Sequence, residues 1–435
     1  MSSTANLCHT IQDEFIPGLN TILEPSLLNE LMRQSQPSVA GTIWRIDYLR
    51  YKPGRRCLAL LSNELSSSLP CVVTAYDRQD FAKSVAKLIH RYPDSRNWWK
   101  NDSSQVIATR FPIDLGLRPL AKLEDDHSEH QLVRRILGPD AAVHRGALRM
   151  LAYKPGRRYV GASISNDDQL SFSLRIYTKQ QYPRILPILH QSTRLAVPTP
   201  RVLATSERYQ AAALSWIPGI SLDRIIQVGD AIDASLCSTA QLLYRLHNDC
   251  SGPKVTVTTS INWAMSVQKA AEDVAFLIPS LAKRTRELAR HIAQELESNE
   301  TEQTLIHNDF YAKQVIINDS AASFIDFDGL AVGERYRDLG NFVAKLFWMN
   351  VRGEITRESA QAYANTFLAA YVQEAGHINI YRYRVYLSAA ILLCATHPFR
   401  RLCCNWTRAT QEIVDLASWS VPNAGTTSLQ KAWDL

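Results

Sequence analysis

The sequence predicts an α+β chain, sheet-rich in its first half and helical in its second. Three observations predict it. The six residues YKPGRR occur twice, at 51–56 and 153–158, each time between two runs of strand character. A stretch at 305–338, LIHNDFYAKQVIINDSAASFIDFDGLAVGERYRD, reads as strand, loop, strand and turn, and gathers His307, Asp309, Gln314, Asp326, Asp328 and Asp338. From Ser221 onward, outside that stretch, the apolar residues recur at helical spacing.

A chain of 435 residues suits two or three structural units, and 46% hydrophobic with 21% charged residues is ordinary for a globular protein with a sizeable core. The formal net charge of +6 is mild, with the basic residues spread along the chain and no basic helix or nucleic-acid motif standing out, so no nucleic-acid partner is expected. A mildly positive chain also counts slightly against a strongly cationic substrate, which wants an acidic pocket. The start has no basic segment followed by an apolar run, so a signal peptide is not expected. The longest apolar run near the end, 387–395, is far too short to cross a bilayer. The eight cysteines form no CxxC pair, and Cys403 and Cys404 are adjacent, which suits free thiols in a reducing cytoplasm. No Cys/His cluster has zinc-ligand spacing.

The agreement between the two YKPGRR segments extends outward. IDYLR at 46–50 and LRMLA at 148–152 precede them, and CVVTAY at 71–76 matches FSLRIY at 172–177. Helices are expected after each, at 81–91 and 179–191, and 16–23 loosely matches 115–123. The first half therefore reads as two diverged copies of one unit. Lys-Pro-Gly between alternating strands is a hairpin signal, because Pro sets the turn and Gly permits it. Between the copies, 93–109 is polar and reads as a loop with Trp98 and Trp99 as an aromatic anchor.

Downstream, AAALSWIPGISL at 211–222 is a strand ending near Trp216. Helices follow at 234–247, at 262–298 with a break near Pro279, at 338–348, 357–375, 383–396 and 406–419. His247 reads as a packing residue at a helix end.

Two carboxylates and an amide on one rim are what phosphoryl transfer from a metal–nucleotide requires: one carboxylate accepts the proton of the attacking hydroxyl, and the others hold magnesium against the phosphates. The ordered series His-x-Asp-x-x-x-x-Gln, Ile-Asp-Phe-Asp and Arg-Asp-Leu-Gly-Asn-Phe resembles the aminoglycoside-phosphotransferase-like, choline-kinase-like branch of the protein-kinase-like fold. HNDFYAKQV is similar to a subgroup that reads His-Gly-Asp-Phe-Tyr-x-x-Gln-Val. That resemblance implies a bilobal kinase-like fold using ATP and Mg2+ on a hydroxyl of a small molecule. It makes Asp309 the catalytic base, His307 the brace of its loop, Gln314 and Asp326 metal ligands with Asp328 a further one, and Asp338 a structural acid behind them. It places Lys154, Gly156, Arg157 and Arg158 over the nucleotide phosphates, and Ser215, Trp216 and Ile217 at a hinge whose backbone meets the adenine.

The implied division is 1–113 as a diverged copy of the small lobe, 114–216 as the small lobe, 217–423 as the helical large lobe and 424–435 as a loose tail. The chain departs from the family pattern at four points. Asn308 stands where the pattern has Gly, Gln314 where it has Asn, and Arg175 where it has the phosphate-holding Lys. The next helix, KQQYPRILPILHQ, carries no partner acid. Arg and Lys are not interchangeable. The alternative to an active kinase is therefore a catalytically weakened pseudokinase acting as a nucleotide-binding or protein-interaction module, with the first copy as a candidate dimer surface. The phosphate acceptor stays open among sugars, antibiotics, amino alcohols and natural-product intermediates.

Overall fold

The computed structural model describes residues 11–35, 42–63, 69–93, 97–139, 141, 148–164, 171–229, 232–249, 260–298, 302–403 and 405–422. The tail assigned to 424–435 lies outside them.

Two five-stranded sheets occupy the first half. The first comprises β1 (Trp44–Lys52), β2 (Arg56–Asn63), β3 (Cys71–Tyr76), β4 (Trp98–Asn101) and β5 (Val106–Arg110), in the order β1-β2-β3-β5-β4. The second comprises β6 (Arg149–Lys154), β7 (Arg158–Ser163), β8 (Phe172–Tyr177), β9 (Val202–Ser206) and β10 (Ala211–Ser215), in the order β6-β7-β8-β10-β9. The orders are the same, and so is the register: Leu58 faces Thr74 in one sheet as Val160 faces Arg175 in the other. The loop expected at 93–109 is corrected to the hairpin of β4 and β5. Its Trp98 does anchor it, donating from Nε1 to the Tyr92 carbonyl at 3.0 Å. Polar composition concealed these strands because β4 is half-exposed and alternation over four residues is a weak signal.

One carboxylate explains each YKPG. Asp13 accepts hydrogen bonds from the Tyr51 hydroxyl at 2.7 Å and the Gly54 amide at 2.8 Å. Asp114 accepts from the Tyr153 hydroxyl at 2.8 Å and the Gly156 amide at 2.7 Å. The hairpins thus share a Tyr and a Gly because each turn is pinned to an aspartate upstream. The two sheets also share a core, in which Leu58 and Val72 of the first meet Leu120, Leu132, Phe172 and Leu174. The described residues within 11–182, 203–214 and 397–406 make one compact unit. Residues 397–401, HPFRR, belong to it: the Phe399 ring lies 6.3 Å from the Tyr51 ring and 5.1 Å from Trp406.

The second unit holds the described residues within 183–202, 215–396 and 407–422. It is mostly helical, with Ser260–Leu277 paired against Ala282–Ser298 and a 3-10 turn at Pro279–Leu281 where the break was expected. Short strands complete it: β11 (Ile220–Ser221), β12 (Gln303–Ile306), β13 (Val315–Asn318), β14 (Ala321–Phe324) and β15 (Ala331–Glu334). β13 pairs with β11 and β14, and β12 pairs with β15. The helix Tyr336–Val351 crosses Ile380–Cys394 at Gly340, where a Cβ would sit 2.9 Å from the Leu387 amide nitrogen. That crossing is the reason for Gly in Arg-Asp-Leu-Gly-Asn-Phe.

Candidate active site

β12 delivers His307, Asn308 and Asp309. Asn308 has φ +72°, in the left-handed region that Gly and Asn reach most readily. The family's Gly is thus a backbone requirement that Asn also meets. Asn308 adds a tie of its own, donating from Nδ2 to the Gly329 carbonyl at 2.8 Å. The departure at 308 therefore does not degrade the loop.

His307 is fully buried. Its Nε2 donates to the Ile325 carbonyl at 2.9 Å, which joins this loop to the segment entering Asp326. Its ring lies 4.6 Å from Phe327 and 5.7 Å from Phe310. Phe310 is fully buried among Phe324 and Phe342, and its carbonyl accepts from Asn341 Nδ2 at 2.9 Å. Asp309 is thus an exposed carboxylate held between two anchored neighbours. An exposed base on a fixed loop can be reached by a substrate hydroxyl.

Gln314 ends the turn Ala312–Gln314 and is buried. Its Nε2 approaches Asp326 Oδ2 at 3.4 Å, so the structure brings these two called ligands together. Asp326 has φ +66°, which turns the chain directly after β14 and Ile325. Asp328 sits in the turn Phe327–Gly329. Among the described residues no group of three or more His, Cys, Asp or Glu is arranged to hold a metal ion. An amide and a carboxylate are oxygen ligands that fit magnesium, which takes the rest of its shell from water and phosphate.

Asp338, fully buried, organises the loop from behind. Its Oδ2 accepts from the His307 amide at 2.7 Å and its Oδ1 from the Asn308 amide at 2.8 Å. His247 Nε2 lies 3.3 Å from the same carboxylate, and its Nδ1 is 2.7 Å from the Tyr371 hydroxyl. Burial works against charge on Asp338, but the hydrogen bond from His247, the two imidazoles and the His307 amide outweigh it and hold its pKa below the ordinary 3.8. Burial pushes His247 below its ordinary 6.5, against the pull of Asp338. His247, read from sequence as a packing residue, is thus also a hydrogen-bonding support, through Asp338, of the loop at 307–309.

A pH dependence follows. The unfolded chain takes up a proton at His247 as pH falls below about 6.5, and the folded chain resists it, so stability drops on the acid side. The Asp338 contribution is lost only as pH falls from about 3.8 through its own, lower pKa, outside this window. Between pH 7.5 and 5.5 thermal unfolding should fall more steeply in the natural protein than in His247→Gln, with a difference of at most about 1.4 kcal/mol per pH unit. Parallel curves would remove His247 from this account.

Arg337 escaped the sequence reading. Its guanidinium lies 4.5 Å from the Trp263 ring centre, and its Nε and Nη1 are buried without partners. Burial lowers its pKa to about 10, while Asp338, Tyr386 and Asp309 act in the opposite direction. Nothing in sequence spacing marks this Arg as a neighbour of Asp309.

Arg175 is buried at the centre of β8. Lys154 and Arg158 close the second hairpin as a facing pair, with Arg157 exposed in the turn. The Gly156 amide donates to Asp114 at 2.7 Å, so it is not a free donor for a phosphate. The Ser215 amide donates to the Arg201 carbonyl at 2.8 Å, and Trp216 and Ile217 follow directly after β10. The chain passes from the first unit to the second between Leu214 and Ser215.

The model of the phosphotransferase enzyme family matches residues 163–377. That region of the chain is similar to the family, in line with the motif resemblance. Among solved structures the chain is similar to an ethanolamine kinase of Plasmodium vivax, with 11% identity over 78% of this chain and 94% of that one and a TM-score of 0.47. It is similar to a choline/ethanolamine kinase family protein of Mesorhizobium loti, with 12% identity, 64% and 89% coverage and a TM-score of 0.46. It is also similar to an aminoglycoside phosphotransferase of Streptomyces rimosus, with 20% identity, 61% and 97% coverage and a TM-score of 0.44. No curated protein matches. No helix among the described residues is long and apolar enough to cross a membrane.

Proposed function

We propose that the chain transfers the gamma phosphate of magnesium-bound ATP to a hydroxyl of a small molecule. The observation that carries this reading is the double tie between the base loop and the metal segment. His307 joins Ile325 and Asn308 joins Gly329, so Asp309 and the Gln314–Asp326 pair are held in one frame. The acceptor oxygen attacks the gamma phosphorus, the bond to the bridging oxygen breaks, ADP leaves, and the acceptor proton goes to Asp309. Gln314 and Asp326 would hold the magnesium ion, which supplies charge neutralisation at the phosphates when bound. Arg337 keeps a positive charge near Asp309. The first sheet is read here as a diverged copy of the second.

The test is thermal unfolding with ATP, comparing magnesium with a chelator. A nucleotide that binds only the folded state stabilises it by about 2.7 kcal/mol at a hundredfold excess over Kd. The magnesium-dependent part of the rise should vanish in Asp326→Ala. An undiminished magnesium-dependent rise in that variant would overturn the metal assignment.

A further inference from the structure

The basic side chains that look scattered in the sequence are gathered by the fold. A cavity of about 830 Å³ opens within the first unit, on the face of the first sheet that carries Leu58, Val72 and Thr74. Arg50 and Arg56 reach it from the first hairpin and Lys87 from the helix Arg78–Arg91. Arg118 and Lys122 come from the turn Arg118–Leu123, and Lys179 and Arg208 from the second copy. These seven cations face one lining acid, Asp114. Both oxygens of that acid are engaged, accepting from the Gly116, Leu117 and Gly156 amides and the Tyr153 hydroxyl. Among the described residues none of the seven cations is in an ion pair. The cavity lining thus holds as large a surplus of positive charge as the whole chain, whose net charge is +6.

We propose that this cavity, which lies within the first unit and has none of Asp309, Gln314 or Asp326 in its lining, is a binding site for a small molecule carrying phosphate groups. Its size lies within the range of small-ligand sites, about 300–1,000 Å³. Buried Leu58, Val72 and Ile107 offer an apolar floor to the body of such a molecule, and the cations surround it. Unpaired cations crowded together gain most from a multiply charged anion, and guanidinium groups bind phosphate in a bidentate fork. The crowding is visible at Arg50, whose Nε is buried without a partner and whose pKa is lowered by burial and then by Arg56 and Arg157. Lys52 beside it is lowered by burial and by the same neighbours. Thr74 occupies in the first sheet the register that Arg175 occupies in the second, so the floor here lacks a central cation and the charge is peripheral.

The experiment is calorimetric titration of the full chain with inorganic pyrophosphate in a chelator, so that no metal-dependent nucleotide binding contributes. Saturable binding is expected, at equal strength in Asp326→Ala. The exposed pair Lys87→Glu with Arg118→Glu should weaken it at least about tenfold. The milder pair Lys122→Gln with Lys179→Gln, expected to weaken it several-fold, serves if charge reversal disturbs folding. Comparison of ADP with fructose 1,6-bisphosphate then distinguishes a nucleotide from a sugar phosphate as the source of the phosphate. No pyrophosphate binding, unchanged affinity in both pairs of substitutions, or binding of an RNA oligonucleotide with pyrophosphate inert would each overturn the proposal. Because magnesium is absent, failure here leaves the phosphotransfer reading untouched, and the converse holds.

Discussion

Asp309→Asn should abolish turnover while leaving the fold and nucleotide binding in place. The loop takes its shape from the Asp338 carboxylate, the Asn308–Gly329 bond and the buried Phe310 ring. Asp309 itself is exposed, and substitutions at such positions usually change stability by no more than about 0.5 kcal/mol. A positioned general base contributes about 10²–10⁴ in rate, so kcat should fall by that factor with KM for ATP nearly unchanged. Steady-state kinetics with an accepted substrate, alongside the unfolding temperature, reads both quantities. Undiminished kcat would remove Asp309 as the base.

The largest effect on stability is expected at Arg382. Its guanidinium is buried and forms a two-pronged pair with Glu334, with Nε to Oε2 at 2.7 Å. The remaining donors reach the Glu295 carbonyl at 2.6 Å and the Leu296 carbonyl at 2.7 Å, in the last turn of Ala282–Ser298. Helix ends leave such carbonyls unsatisfied, and a cation is favoured there. Tyr386 donates to the same Glu334 at 2.9 Å. Burial disfavours charge on Arg382, but Glu334 more than compensates and raises its pKa. Arg382→Ala leaves a buried carboxylate and two helix-end carbonyls without their cation, at a cost of about 3–5 kcal/mol. Removing both charges with Arg382→Met and Glu334→Leu should cost less than the single change, because no ion is stranded. Denaturant unfolding of the three proteins decides it, and additive losses would contradict the argument.

Much of the site was legible in the sequence because its chemistry is carried by short spacings. His307 to Gln314, and Asp326 a dozen residues on, form one local unit, and the structure brings Gln314 to Asp326. The two hairpins were legible for the same reason, since Lys-Pro-Gly encodes its own turn. The helical half was legible through its periodicity, including the break at Pro279. The hairpin at 98–110 was not, because short polar strands lack a periodic signature.

What the sequence by itself determined was therefore every feature written in neighbouring residues: the turns, the helices and the order of the carboxylates. Tertiary structure alone decided which distant groups meet. Asp13 and Asp114 pin hairpins about forty residues away, His247 and Asp338 shape a loop that neither belongs to, and seven separated cations come to line one cavity. The physical reason is that backbone propensity acts over a few residues, whereas charge, burial and hydrogen bonding act through space once the core has closed.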